Sequence, residues 1–331
     1  MNIPRFIAAL LLIATTFGCV SKVKVGSELN RQGDEIVIAG RYFHTGARVV
    51  LWTDPGGYDA YRTERRFVPR DDMSWEKSST KLSSPARYGI RSAATLDDAQ
   101  FERVRGGGWS LPELQERIDQ FVLHYDVCGT SRECFRVLHD ARGLSVHFMI
   151  DIDGTIYQTL DVKERGFHAT IANDRSVGVE IANMGAYPKL DGSPLLKWYA
   201  KDDQGRWRIT IPKDKGDGGI RTPGFIGYPE RLVTGEIQGR TLTMFDLTAE
   251  QYDALAKLTA ALHIALPKIA LDYPRDASGS LNLNTLEPQA FTDFRGILGH
   301  WHIQKNKSDP GPALDFERLI REARDAVGHS R

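Results

Sequence analysis

Apolar residues along the chain fall mostly into short runs bounded by turn-forming residues, with helical spacing in only a few places. Glu35 to Gly40 and Ala47 to Trp52 are β-branched runs, and Asp54, Pro55, Gly56 and Gly57 form a turn signal. Residues 20–109 therefore read as a β-rich extension, with a charged surface loop over residues 62 to 87. Gly106, Gly107 and Gly108 read as a linker, without the strand-to-helix setting of a phosphate-binding loop. From Ser110 the pattern changes. Ser110, Leu111, Pro112 and Glu113 give a capping serine, a proline in the first turn and a nearby acid, which together start a helix. Leu114, Ile118 and Phe121 would form its apolar face.

Downstream, Gln120 to Tyr125 reads as a buried strand carrying a histidine near its end, and Val137 and Leu138 sit in a helix-like stretch. Val146 to Asp151 and Thr155 to Gln158 flank Asp153-Gly154, a hairpin signal. Ser176 to Asn183 is an apolar strand interrupted by one acid. Residues 187–245 are polar and rich in Gly, Pro and Lys, and read as an insertion. Thr248 opens the strongest helix, with Leu255, Leu258, Leu262 and Leu266 as an apolar stripe of the core. Gly296 to His300 is a short strand that again ends on histidine, and Phe316 to Val327 is a closing amphipathic helix. There is no internal repeat.

Composition adds little to this picture, and the N-terminus adds more. Lys+Arg and Asp+Glu both number 43, so the formal net charge is zero and nucleic acid is a poor partner. Arg5, an apolar stretch from Phe6 to Thr16 and then Gly18-Cys19 describe a secretory signal over residues 1–19. Gly18-Cys19 is similar to the processing point of bacterial lipoproteins, so Cys19 is a candidate for lipidation and membrane attachment. The expected location is outside the cytoplasm, periplasmic or membrane-anchored. An exported chain meets oxidising conditions, so Cys128 and Cys134 are either a local disulfide or two free thiols.

Candidate chemistry lies at the two strand-end histidines. His124, His300 and the nearby Asp309 offer two imidazoles and a carboxylate, a set that suits a catalytic Zn2+ with a position left for water. Each histidine alone is more often a structural hydrogen-bonder, and His302 is a rival ligand to His300. The surrounding residues resemble the type-2 N-acetylmuramoyl-L-alanine amidases, which share a fold with peptidoglycan recognition proteins. The resemblance covers roughly residues 115 to 186 and 246 to 320, and its most specific part is Gly299 to Ile303 followed by Lys307 to Pro312. It implies an α/β fold: a central mixed β-sheet flanked by helices, with zinc at one end of the strands. The domain would span residues 110–331.

Residue by residue, the resemblance implies His124, His300 and Asp309 as zinc ligands, with Lys307 beside the metal. Gly166 to Ala169 looks like the segment whose histidine, here His168, lines the substrate groove, and Asn183 is a further candidate for holding substrate. The spacing of Cys128 and Cys134 is that of a short-range disulfide in the recognition proteins. Phage-type members place a tyrosine before the hairpin histidine, where this chain has Val146. AmpD-type members lack it too and use a glutamate on the neighbouring strand, kept here as Glu180. Glu180 would then relay the proton of the attacking water, and Lys307 would stabilise the oxyanion. The implied substrate is the amide between N-acetylmuramic acid and L-alanine in peptidoglycan or muropeptides. The rival readings are a non-catalytic peptidoglycan receptor on the same fold and a zinc amidase for a different amide.

Overall fold

The structure is a computed structural model that describes residues 31–61, 65–74, 76–77 and 87–329. The signal segment and Cys19 lie outside the described residues. Along the chain the strands are β1 (Glu35–Ile38), β2 (Arg41–His44), β3 (Val49–Leu51), β4 (Tyr88–Ile90), β5 (Gln120–Tyr125), β6 (Phe148–Ile150) and β7 (Ile156–Gln158). They continue with β8 (Glu164–Gly166), β9 (Ser176–Ile181), β10 (Tyr199–Lys201), β11 (Trp207–Ile209), β12 (Leu232–Ile237), β13 (Arg240–Phe245) and β14 (Gly296–Gly299). Six of them form the central sheet in the order β14-β5-β9-β6-β7-β3. Pairing is parallel from β14 through β5 and β9 to β6, antiparallel between β6 and β7, and parallel again between β7 and β3. The sheet is mixed and flanked by helices, as expected.

The period of two along these strands decides where chemistry can sit. Phe121 and Leu123 of β5, Val177, Val179 and Ile181 of β9 and Ile297 of β14 enter one core with Leu255, Leu258 and Leu262. Those leucines belong to the helix Ala249–Ala265, whose first turn is closed by reciprocal hydrogen bonds between Thr248 and Gln251. Each of these fully buried leucines stabilises the fold by about 2 kcal/mol, and truncating Leu258 to alanine would cost about 2–5 kcal/mol. The intervening positions face the other way. Val122 and Leu298 pack there with Ala169 and Phe291, so His124 and Glu180 also point away from the long helix. The helix Phe316–His329 closes the first core through Phe316, Leu319 and Ile320, against Trp301.

The first part of the chain is more tightly joined to the rest than its composition suggests. Residues Gly33–Arg331 form one compact unit, so the boundary expected near residue 110 falls inside it. β3 is the edge strand of the central sheet, and β4 pairs with β8. Gly106 and Gly107 are not a linker: they end the helix Asp98–Gly107, which is capped by Asp97 and stops at Gly108. Phe121 also changes element. The helix Leu111–Arg117 has already stopped, and the apolar side chains at helical spacing run on into β5. The insertion contains the hairpins β10–β11 and β12–β13, with a small core of Leu195, Trp198, Tyr199 and Phe245 against Met184.

Candidate active site

Parallel strands that end side by side bring their C-terminal residues to one edge, where open α/β sheets place their sites. β5 supplies His124 there, and its register partner on β9 is Glu180. β14 runs beside β5 and hands over at Gly299 to the turn His300–His302. The chain then loops back so that the Asp309 carbonyl accepts from the Trp301 N–H, which closes the loop around the carboxylate. Tyr125 and Ser308 hydroxyls, 2.6 Å apart, tie that loop to the end of β5.

The result is a close convergence of three donors. Nδ1 of His124 and Nδ1 of His300 lie 2.7 and 2.9 Å from the same Oδ2 of Asp309. One ligand atom from each residue can be chosen so that all lie within 4.8 Å of one another, and all three side chains are buried. The far nitrogens are held as well. His300 Nε2 is 2.6 Å from Gln304 Oε1, and His124 Nε2 is 3.2 Å from Nδ1 of His168. A ring whose second nitrogen is pinned keeps its orientation and tautomer, which is how outer partners support metal-binding imidazoles.

Burial sets the protonation states. It lowers His124 to about 4, so the imidazole is neutral at pH 7. Burial also works against ionisation of Asp309, but the adjoining His300 and His124 outweigh it and hold the carboxyl below the usual carboxylate range. Glu180 is pushed well up, first by burial and then by the charges of Asp309 and Asp126. His124, His168, Glu180, His300, Lys307 and Asp309 line one cleft together with the apolar Val137, Leu138, Leu144 and Phe167 and with Arg142. The arrangement offers a buried metal-donor set, a carboxyl able to carry a proton, a cation and an apolar lining.

The structure thus brings together six of the residues singled out from the sequence and leaves others apart. Asn183 is not part of the cleft wall. Its amide donates to the Phe245 carbonyl and accepts from the Gly185 N–H, so both polar ends are committed to the main chain. Cys128 and Cys134 are free thiols, not the expected disulfide, with Cys134 buried. His302 is no rival ligand: its Nδ1 accepts from the Gly299 N–H and its Nε2 meets the Asn282 carbonyl at 2.7 Å. His44 pairs with Asp34 at 2.9 Å. Reading the sequence missed Gln304 and Arg91. Gln304 follows His300 by four residues, a spacing that could have raised it; Arg91 carries no local signal.

Comparison with known proteins gives the family. A family profile described as N-acetylmuramoyl-L-alanine amidase matches residues 114–312. The chain belongs to that family and is a peptidoglycan amidase of the N-acetylmuramoyl-L-alanine amidase class. Among solved structures it is similar to a selenomethionine derivative of AmpD, at 17% identity and a TM-score of 0.33, covering 72% of this chain and 93% of that one. It is also similar to the amidase AmiD from E. coli in complex with anhydro-N-acetylmuramic acid-L-Ala-D-gamma-Glu-L-Lys. That match has 17% identity and a TM-score of 0.34, over 62% of this chain and 57% of AmiD. A third similar structure is the endolysin LysCS from Clostridium intestinale, at 14% identity and a TM-score of 0.31, over 64% and 86% of the two chains. No curated protein matches the chain.

Proposed function

We propose that the chain is a zinc-dependent hydrolase that cuts the amide between N-acetylmuramic acid and L-alanine in peptidoglycan or its fragments. The observation that carries this is the convergence of His124, His300 and Asp309 at a strand edge, with Glu180 as the register neighbour of His124. The donor set fits zinc: two imidazole nitrogens and one carboxylate oxygen, with no fourth protein ligand among the described residues. Zinc bound there would supply Lewis acidity at the scissile carbonyl and a more acidic water.

The remaining steps fall to the chain's own side chains. Glu180 takes the proton of the attacking water and passes it to the departing amine. Burial raises its pKa, which helps it hold the proton taken from water until that proton passes to the amine. Lys307, on the same cleft, stabilises the negative oxygen that forms as the carbonyl is attacked. His168 lines the cleft and holds the far side of His124. The apolar Val137, Leu138 and Leu144 that line the cleft would keep water from the bond being cut.

The same reading places the enzyme outside the cytoplasm, tethered through a lipid on Cys19, where it meets wall peptidoglycan or shed muropeptides. Growth with labelled palmitate should mark the chain in the membrane fraction, and Cys19→Ala should release it. For the reaction, mass spectrometry of muropeptide digests should show free stem peptide beginning at L-alanine. Cleavage at any other bond would defeat the assignment.

A further inference from the structure

We propose that Arg91 is a positioning residue for this site: it fixes the loop that carries His168, and through His168 it holds the His124 imidazole in place. The inference rests on the reading of His124 as a working ligand. Arg91 lies before the residues that match the amidase family, at the end of β4, yet it is fully buried. Its guanidinium fork is used up almost wholly on main-chain carbonyls. Nε and Nη2 donate to the Val162 carbonyl at 3.1 and 2.9 Å. Nη1 reaches the carbonyls of Asn173, Asp174 and Ser176 at 3.0, 3.2 and 3.0 Å. A single planar cation thereby fastens two separate turns to each other, which a lysine's point charge does less well.

Two of those carbonyls belong to the residues that hold His168. Asn173 Oδ1 accepts from the N–H groups of His168 and Ala169 at 3.2 and 2.7 Å. Ser176 Oγ is 3.4 Å from His168 Nε2. The ring of His168 then rests on Gly178, where a Cβ would come within 2.5 Å of its Nδ1. Gly178 is itself pinned, because its N–H donates to His147 Nδ1 at 3.1 Å. That leaves the proton of His147 on Nε2, which donates to the Glu164 carbonyl at 3.0 Å and lies 2.9 Å from Arg91 Nη2. Arg91 thus borders the floor and both supports of His168, whose Nδ1 meets His124 Nε2 at 3.2 Å. The contiguous segment from β4 to Ser92 is held in register by β8 and by Asp174, which accepts from the Ser92 N–H at 2.6 Å.

The test reads the imidazoles directly. Ring 15N shifts of His168 and His124 are recorded on the full chain as wild type, Arg91→Met and Arg91→Lys. In Arg91→Met both rings should change tautomer or shift, with partial return in Arg91→Lys. kcat/KM for a muropeptide should fall about 10- to 100-fold in Arg91→Met, and adding His168→Ala should cause no further loss than His168→Ala alone. Unchanged ring shifts, or losses that multiply in the double variant, overturn the proposal. If Arg91→Met does not fold, Arg91→Lys decides by the same shifts: wild-type values contradict it. A wild-type chain that releases no stem peptide would defeat the proposed reaction, while the ring shifts would still decide the role of Arg91.

Discussion

Two pairs of buried histidines stand within one small region of the sheet and do different work. His124 and His300 turn the same nitrogen, Nδ1, to one carboxylate oxygen of Asp309. His147 and His302 instead span main-chain groups. His147 bridges the Gly178 N–H and the Glu164 carbonyl, and His302 bridges the Gly299 N–H and the Asn282 carbonyl. Burial does not separate the pairs, since it lowers His124 and His302 alike to about 4 and His147 to about 3. The partner separates them. An imidazole with an N–H on one side and a carbonyl on the other is a strut with a fixed tautomer, whereas one facing a shared carboxylate can take up a cation. Position in the sequence does not decide this, as His300 and His302 are two residues apart.

Substitutions can break that contrast in order of size. Asp309→Ala removes the oxygen that both His124 and His300 face. Bound zinc should be lost and turnover should fall about 10³-fold, the scale of removing a preorganised electrostatic group; full turnover would contradict the assignment. Glu180→Gln should lower kcat by about 10²–10³-fold, as loss of a general acid–base does. Metal analysis should still find zinc in that variant, and loss of the metal would make Glu180 a ligand instead. Gln304→Leu takes away the acceptor on His300 Nε2 and should weaken zinc about tenfold in a chelator competition, the lower end of outer-partner effects. His302→Ala should leave zinc content untouched and lower unfolding stability by about 2–3 kcal/mol, because a buried N–H and carbonyl lose their partner. Zinc loss in His302→Ala at intact fold would erase the distinction between the pairs.

Much of the catalytic framework was legible from pattern alone. β5, the β6–β7 hairpin, β9, β14 and the long leucine helix all appear where alternation, turn residues and helical spacing put them, because each is a local signal reinforced by burial. The strand-end histidines were legible for the same reason. What escaped the sequence depends on contacts between distant segments. Val49–Leu51 gives no sign in its own residues that it will pair with β7 more than a hundred residues on. Arg91 looks like any surface cation until five carbonyl contacts surround it. Asn183, a candidate for holding substrate from its place at a strand end, has its amide bonded to the Gly185 N–H and the Phe245 carbonyl. Cys128 and Cys134 were paired by likeness, and the fold holds them as neighbouring thiols.

The most direct measurement is a digest of purified muropeptides by the full chain, with and without a metal chelator, analysed by mass spectrometry. The account predicts free stem peptide and intact amino sugar, with release stopped by the chelator and restored by added zinc. Release that is indifferent to the chelator, or products cut anywhere but the lactyl–alanine amide, would contradict it.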